Sequence, residues 1–362
     1  MDRIDALLRL VMCRGIGPLR GKEIIERCGD PAALFALDAR ALEARTGLPP
    51  PLASRLLDPA LARAAQRERA EAARRGVALV PAGDPRYPPL LAHAPAHPLI
   101  LWVWGEPVPR DVPAVAVIGT RRASAYGRRQ AVRLVRELAA YDLPIVSGLA
   151  RGIDGIAHEE ALRAGTRTIA VLGSGIARLY PPEHAALAGR IARAGAVLSE
   201  LPLFTAPRAY HFPRRNRIIA GLSIGVLVIE GGTRSGTMIT ARHAAEQGRL
   251  VFAVPGPVDS CNASGVNALL RDGAVLTTSA EDILAEFGDL YPLLKARRRV
   301  SALPPLSPLE EAVLGAIPPG PVAPDAAAAA LGRPLADVMG AITALELKGR
   351  LHRSGNALER LA

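Results

Sequence analysis

Arginine gathers at a few short turns of this 362-residue chain, and each turn has the makings of a phosphate grip. Gly119-Thr120-Arg121-Arg122 joins a tight glycine turn to two guanidiniums. Backbone donors there, and the positive end of a helix that starts near Ser124, suit an anion, while Arg121 adds a planar fork for two phosphate oxygens. In Ser147-Gly148-Leu149-Ala150-Arg151-Gly152, Gly148 lets backbone approach a ligand closely and Arg151 supplies charge. Phe212-Pro213-Arg214-Arg215-Asn216-Arg217 is the densest cluster. Its arginines neutralise phosphates and Phe212 stacks under an unpaired base; Asn216 and Arg217 also suit tying loops together. Glu230-Gly231-Gly232-Thr233-Arg234-Ser235-Gly236-Thr237 is a small-residue cradle at a helix amino end, with Ser235, Gly236 and Thr237 facing an anion. It lacks the Gly-Lys-Ser/Thr ending of a P-loop.

Bond-making chemistry fits the sequence less well. No Ser-His-Asp arrangement, paired-carboxylate pattern or metal-ligand cluster stands out, so no catalytic residue, metal or cofactor is expected. Asp154 and His158 lie four residues apart on one helix, but a third ligand at sensible spacing is missing. They are read as a helix-end carboxylate and a locally bonded histidine. The first strand is not followed by G-x-G-x-x-G, which argues against a dinucleotide enzyme.

The elements that must hold these turns alternate along the chain. Buried strands are expected at 114–118, 144–147, 168–172, 196–199, 224–229 and 250–254, with helices between them. In the first helix Ala131, Leu134, Val135 and Leu138 share a face, with Arg129, Arg133 and Arg136 off it. Apolar strands alternating with amphipathic helices predict an α/β fold with a parallel, doubly wound, Rossmann-like sheet. Such sheets bind ligands at the carboxyl ends of their strands, where the arginines fall.

Around this core, composition separates further segments. Residues 1–60 are helical, with Gly15-Ile16-Gly17-Pro18 between two short helices. That turn suits a phosphate-binding helix-hairpin-helix or SAM-like module, or a plain hairpin whose glycines permit close packing. Residues 61–111 form a connecting region that packs on the sheet; Trp102 and Trp104 read as a core face and an edge contact. Residues 112–288 are the Rossmann-like domain and 289–307 a Pro-rich linker carrying Arg297-Arg298-Arg299. Residues 308–362 read as three helices and a hairpin about Ser354-Gly355-Asn356, a winged helix. Its third helix is poor in Arg, Asn and Gln, which favours a structural or protein-contact role over base reading.

The formal charge is +11, almost all of it arginine, with lysine only at Lys22, Lys295 and Lys348. A basic excess makes polyanions the favoured partners, and nucleic acid ranks ahead of a membrane surface. Three scattered cysteines and an N-terminus without signal-peptide layout suit a reducing cytoplasm, and no membrane span is expected.

Read in order, VIGTRRASAYG, SGLARGIDGIAH, TIAVLGSGIARLYPPEH, LSELPL, HFPRRNRIIAGLS, EGGTRSGTMITARHAAEQGR and VFAVPG resemble the DprA or Smf family of bacterial DNA-processing proteins. The resemblance covers about 112–288 continuously. It implies a SAM-like amino domain, an extended Rossmann domain and a carboxyl winged helix. It also implies a non-enzymatic homodimer, paired through the Rossmann domain, that binds incoming single-stranded DNA in natural transformation and loads the recombinase RecA. By motif, Arg121 matches the arginine of the G-[ST]-R turn, and Phe212, Arg214, Asn216 and Arg217 match F-P-x-R-N-R. The 230–237 loop also resembles the PGG-x-GT loop of lysine-decarboxylase-like nucleotide hydrolases. Those carry an acidic residue just after the loop, where this chain has Met238-Ile239-Thr240.

Overall fold

The computed structural model describes residues 2–106, 113–288, 306–318, 320–348, 350–354 and 357–360. The Arg297-Arg298-Arg299 run and the hairpin turn at 355–356 lie outside the described residues. The chain divides into two compact units, Met1–Arg297 and Arg298–Ala362.

The first unit is built on nine strands: β1 (Val77–Pro81), β2 (Ile100–Gly105), β3 (Val115–Ile118), β4 (Ile145–Ser147), β5 (Thr168–Val171), β6 (Ala196–Ser199), β7 (Gly225–Val228), β8 (Leu250–Ala253) and β9 (Val275–Leu276). Their order across the sheet is β1-β2-β6-β5-β4-β3-β7-β8-β9. The seven strands β3 to β9 are parallel; the apolar runs predicted β3 to β8, and the two-residue β9 is an addition to them. The region before them does more than pack on the sheet. Its β2 pairs antiparallel with β6, and β1 with β2, because Ile-Leu-Trp-Val-Trp is apolar enough to extend a buried sheet. Trp102 is fully buried, as expected of a core face.

Before the sheet come α1 (Arg3–Met12), α2 (Pro18–Cys28), α3 (Ala39–Thr46), α4 (Pro50–Leu57), α5 (Pro59–Arg74) and the single turn α6 (Pro89–Ala92). Helices α1 to α4 enclose a cluster that includes Leu7, Leu10, Ile24, Leu42 and Leu56, which Leu99 joins. Among the strands come α7 (Ala125–Ala140), α8 (Ile153–Arg163), α9 (Ala185–Ala194), α10 (His211–Gly221), α11 (Gly236–Glu246), α12 (Ser264–Arg271) and α13 (Ala280–Ala285). Successive residues of a strand face opposite sides. So Ala116 and Ile118 meet α10 and α11 on one face of the sheet, and Val115 and Val117 meet α7, α8 and α13 on the other. The apolar face expected on α7 is the buried one.

The chain crosses from one side of β3 to the other between β6 and β7, so the order reverses at the β3/β7 pair. Loops leaving β3 and β7 must diverge there, and a crevice opens above their carboxyl ends.

The second unit holds α14 (Pro308–Ala316), α15 (Pro324–Ala330), α16 (Leu335–Leu347) and the hairpin β10 (Leu351–Ser354) and β11 (Ala357–Arg360). Ser307 and Glu310 form a capping box, and Lys348 pairs with Glu310 at 2.6 Å. Val313, Ile317, Val338, Ile342 and Leu358 make its core. Among the described residues no single helix is long and apolar enough to cross a membrane.

Candidate functional site

The crevice at the switch point is a cleft of about 500 Å³. Its walls come from the turn after β3, the start of α8, the amino half of α10 and the start of α11. Of the residues singled out in the sequence, Gly119, Thr120, Arg121, Arg122, Phe212, Arg215, Asn216, Ser235, Gly236 and Thr237 line it. Ala150 of the second turn lines it as well, so elements far apart in sequence bring all four turns to one place.

Arg121 and Arg122 are exposed and have no ion-pair partner among the described residues. The Arg121 guanidinium lies over the Phe212 ring, 5.5 Å from its centre. Phe212 packs edge-on against Tyr180, 5.7 Å away, and Arg151 lies over Tyr180 at 5.7 Å. Cation and ring alternate along this row, leaving flat surfaces and charges beside one another. Tyr180 was missed in the residue-by-residue reading, although it sits in the quoted motif TIAVLGSGIARLYPPEH.

Helix α11 opens towards the cleft. Ser235 precedes it without a side-chain capping bond, its buried hydroxyl meets no partner, and its first turn holds no acidic residue. Asn216 Nδ2 donates to the Gly236 carbonyl at 3.3 Å, fixing α10 against this end. The unfilled amides of Gly236 and Thr237 make a place for an anion.

The amino end of α7 is different, and the expectation of an anion there is corrected. Its site is already filled by Glu230, whose carboxylate accepts from the Ser124 amide at 3.0 Å and the Ser124 hydroxyl at 2.5 Å. Gly127 leaves room for it; a Cβ there would stand 2.2 Å from the carboxylate. The Thr120 amide donates to the Glu230 carbonyl at 2.8 Å, so the turns after β3 and β7 are bolted together.

The arginines of the densest motif do not act as one group. The segment is helical, so consecutive residues point about 100° apart. Arg215 is buried at 6% exposure and donates to the carbonyls of Val171 and of Gly148, the latter at 2.7 Å. Burial holds its pKa down at about 10, opposed by the charge of Asp154. Arg217 is paired with Glu200, both only 11% exposed, and Arg214 stands 3.9 Å from the same carboxylate. Neither Arg214 nor Arg217 lines the cleft.

Gly148 is likewise occupied. Its amide donates to Asp154 at 3.1 Å and its carbonyl accepts from Arg215, so it braces the cleft floor instead of offering backbone to a ligand. Burial pushes the Asp154 carboxyl up, against the pull of Arg215 and the amides of Gly119, Gly148 and Ala150. Arg151 lies outside the lining, held by Glu183 at 2.5 Å. His158 is fully buried, bonded to Thr168 at 2.7 Å, and burial takes its pKa from 6.5 to about 3. It is a neutral core imidazole, and among the described residues no cluster of metal ligands forms.

A parallel sheet reversed at β3/β7, with a cleft at the reversal walled by unpaired arginine, an aromatic ring and an open helix end, defines a doubly wound α/β protein with a cationic switch-point site. The chain belongs to the DNA recombination-mediator protein A family, whose model matches residues 78–288. The model of the DprA winged helix domain matches residues 297–356. Protein Smf of Escherichia coli is 47% identical over 207 residues, 57% of this chain and 55% of that protein. The DNA processing protein DprA of Bacillus subtilis is 41% identical over 212 residues, 58% of this chain and 71% of that protein. The chain spans about half the length of the first curated relatives it matches, at 55% and 56%. Among solved structures, DNA processing protein A from Streptococcus pneumoniae is similar with a TM-score of 0.66 and 32% identity, covering 79% of this chain and 99% of that one. DNA processing protein A from Helicobacter pylori, solved to describe its single-stranded DNA binding mode, gives a TM-score of 0.51 at 31% identity over 55% of this chain and 92% of that one.

Proposed function

We propose that this chain binds single-stranded DNA in the switch-point cleft and acts as a recombination mediator without making or breaking bonds. The observation that carries this is the coincidence, in one cleft, of Arg121 and Arg122 without carboxylate partners, the Phe212 ring and the uncapped start of α11. Arginine replaces counterions along the phosphates, the ring stacks an unpaired base, and the α11 amides hold one phosphate. The cleft is open to a flexible strand with its bases splayed. The single-stranded DNA binding mode described for the Helicobacter pylori protein supports the same reading here.

The same proposal extends to partners. The protein hands shielded DNA to RecA during natural transformation, and it pairs with a second copy through the Rossmann-like domain. The edge of β9, outermost among the described strands, with Leu276 56% exposed, offers a surface for that pairing.

Fluorescence anisotropy with labelled oligo-dT tests the binding. Arg121→Ala is expected to weaken affinity about ten-fold and leave the thermal midpoint nearly unchanged, since the exposed side chain has no ion-pair partner among the described residues and only the Phe212 ring beneath it. Wild-type affinity in that variant contradicts the assigned cleft. RecA filament formation on single strands, measured with and without the protein, tests the loading role.

A further inference from the structure

Thr237, at the start of α11, is only 7% exposed, yet it lines the switch-point cleft. Its hydroxyl meets no partner among the described residues and is not sealed in, unlike the equally unpaired hydroxyl of Ser235. A polar group of a buried residue left open to a cavity is a place for a ligand group. Beside it the amides of Gly236 and Thr237 are unfilled, and the first turn holds no acidic residue. Two consecutive residues of the lining thus offer three donors. We propose that the start of α11 is a phosphomonoester subsite, which takes the terminal phosphate of a strand, or of a free mononucleotide, in preference to an interior phosphodiester. The inference rests on reading the cleft as a single-strand site.

Donor number, charge and room all favour a terminal phosphate. A phosphomonoester carries about −1.5 to −2 charges at neutral pH and three acceptor oxygens, one for each donor. An interior diester carries a single charge and two free oxygens. The lining suits the larger charge. Arg121, Arg122 and Arg215 are cationic, and Asp154, the one carboxylate among the lining residues, already accepts from the Gly148 amide at 3.1 Å. Space is short around the threonine. Asn216 holds α10 against the Gly236 carbonyl at 3.3 Å. The turn at Gly231 lies so close that a Cβ there would stand 3.1 Å from the Thr237 Cβ, and the Gly265 amide ties that turn down at 2.9 Å. A strand passing the hydroxyl needs room for a sugar on both sides of the phosphate, whereas a strand that ends there needs it on one.

The test uses the full chain and one oligo-dT length made with a 5′-phosphate, with a 3′-phosphate or with hydroxyls at both ends. One of the phosphorylated forms should bind about ten-fold more tightly than the hydroxyl form, and which one fixes the direction of the strand. Competition with dTMP and with thymidine separates the two sources. Displacement by dTMP but not by thymidine shows that a free mononucleotide fills the subsite; no displacement, with the end preference kept, confines it to strand ends. Thr237→Val exchanges the hydroxyl for a methyl and breaks no hydrogen bond among the described residues, so the thermal midpoint should hold while the end preference falls to about two-fold. Thr237→Ser should keep the full preference. Equal binding of all three oligonucleotides by the wild type, or a full preference in Thr237→Val, overturns the subsite and leaves the single-strand reading standing. If none of the three binds, that reading fails and this proposal falls with it.

Discussion

Arg121 and Arg215 both line the switch-point cleft, yet burial gives them opposite duties. Arg121 is exposed and unpaired, so its removal should cost binding and leave stability intact. Arg215 is buried among the Gly148 and Val171 carbonyls beside Asp154. Arg215→Ala strands that carboxylate and is expected to destabilise the domain by about 3–5 kcal/mol, read as a drop in urea midpoint. Glu183 makes a third case. It neutralises Arg151 in an exposed pair at the edge of the aromatic row. Glu183→Gln should free that guanidinium, tighten oligo-dT binding about two- to three-fold and steepen the salt slope by about 0.7; an unchanged slope would place Arg151 off the DNA path. His158 governs pH. Its folded pKa of about 3 lies below its ordinary 6.5, so its contribution to stability is complete above about 6.5 and is lost as pH falls towards 3. Chemical denaturation at successive pH values should show this loss, and His158→Asn should flatten it.

Helix α10 shows what was legible in the sequence and what was not. Its residue types announced a phosphate site, and the strand positions around it were readable because buried parallel strands are short apolar runs. The helical phase of 212–217 was not apparent, because the run is polar and carries no apolar stripe before Ile218. Reading the motif as a single cluster joined Arg214, Arg215 and Arg217 into one group that the 100° steps of a helix separate. The role of Glu230 was hidden for another reason. Its contacts at Ser124 are 106 residues distant, and local pattern carries no trace of them. The turns at the cleft also rest on backbone geometry. Gly152 has φ of +76°, and a Cβ there would lie 2.3 Å from the Thr120 carbonyl. Gly152→Ala should push the Gly119–Arg122 turn aside, lowering both melting temperature and oligo-dT affinity, whereas Arg121→Ala lowers affinity alone.

The two compact units expose different surfaces. Helix α16 exposes Leu335, Ala336, Asp337, Gly340 and Thr343 and presents no cation on that face. An added negative charge there, as in Thr343→Glu, should leave the salt dependence of DNA binding unchanged; a shallower slope would place DNA on the winged unit. The net charge of +11 raises general attraction to polyanions, but that attraction alone cannot single out one cleft. Salt titration of oligo-dT affinity for the full chain and its Arg121→Ala, Arg122→Ala double variant separates the two. If the cleft holds the strand, the plot of log affinity against log salt loses about 0.7 of slope for each contact removed, and affinity converges with wild type at high salt. Parallel lines of equal slope would mean that these guanidiniums meet no phosphate and that the cleft is not where DNA lies.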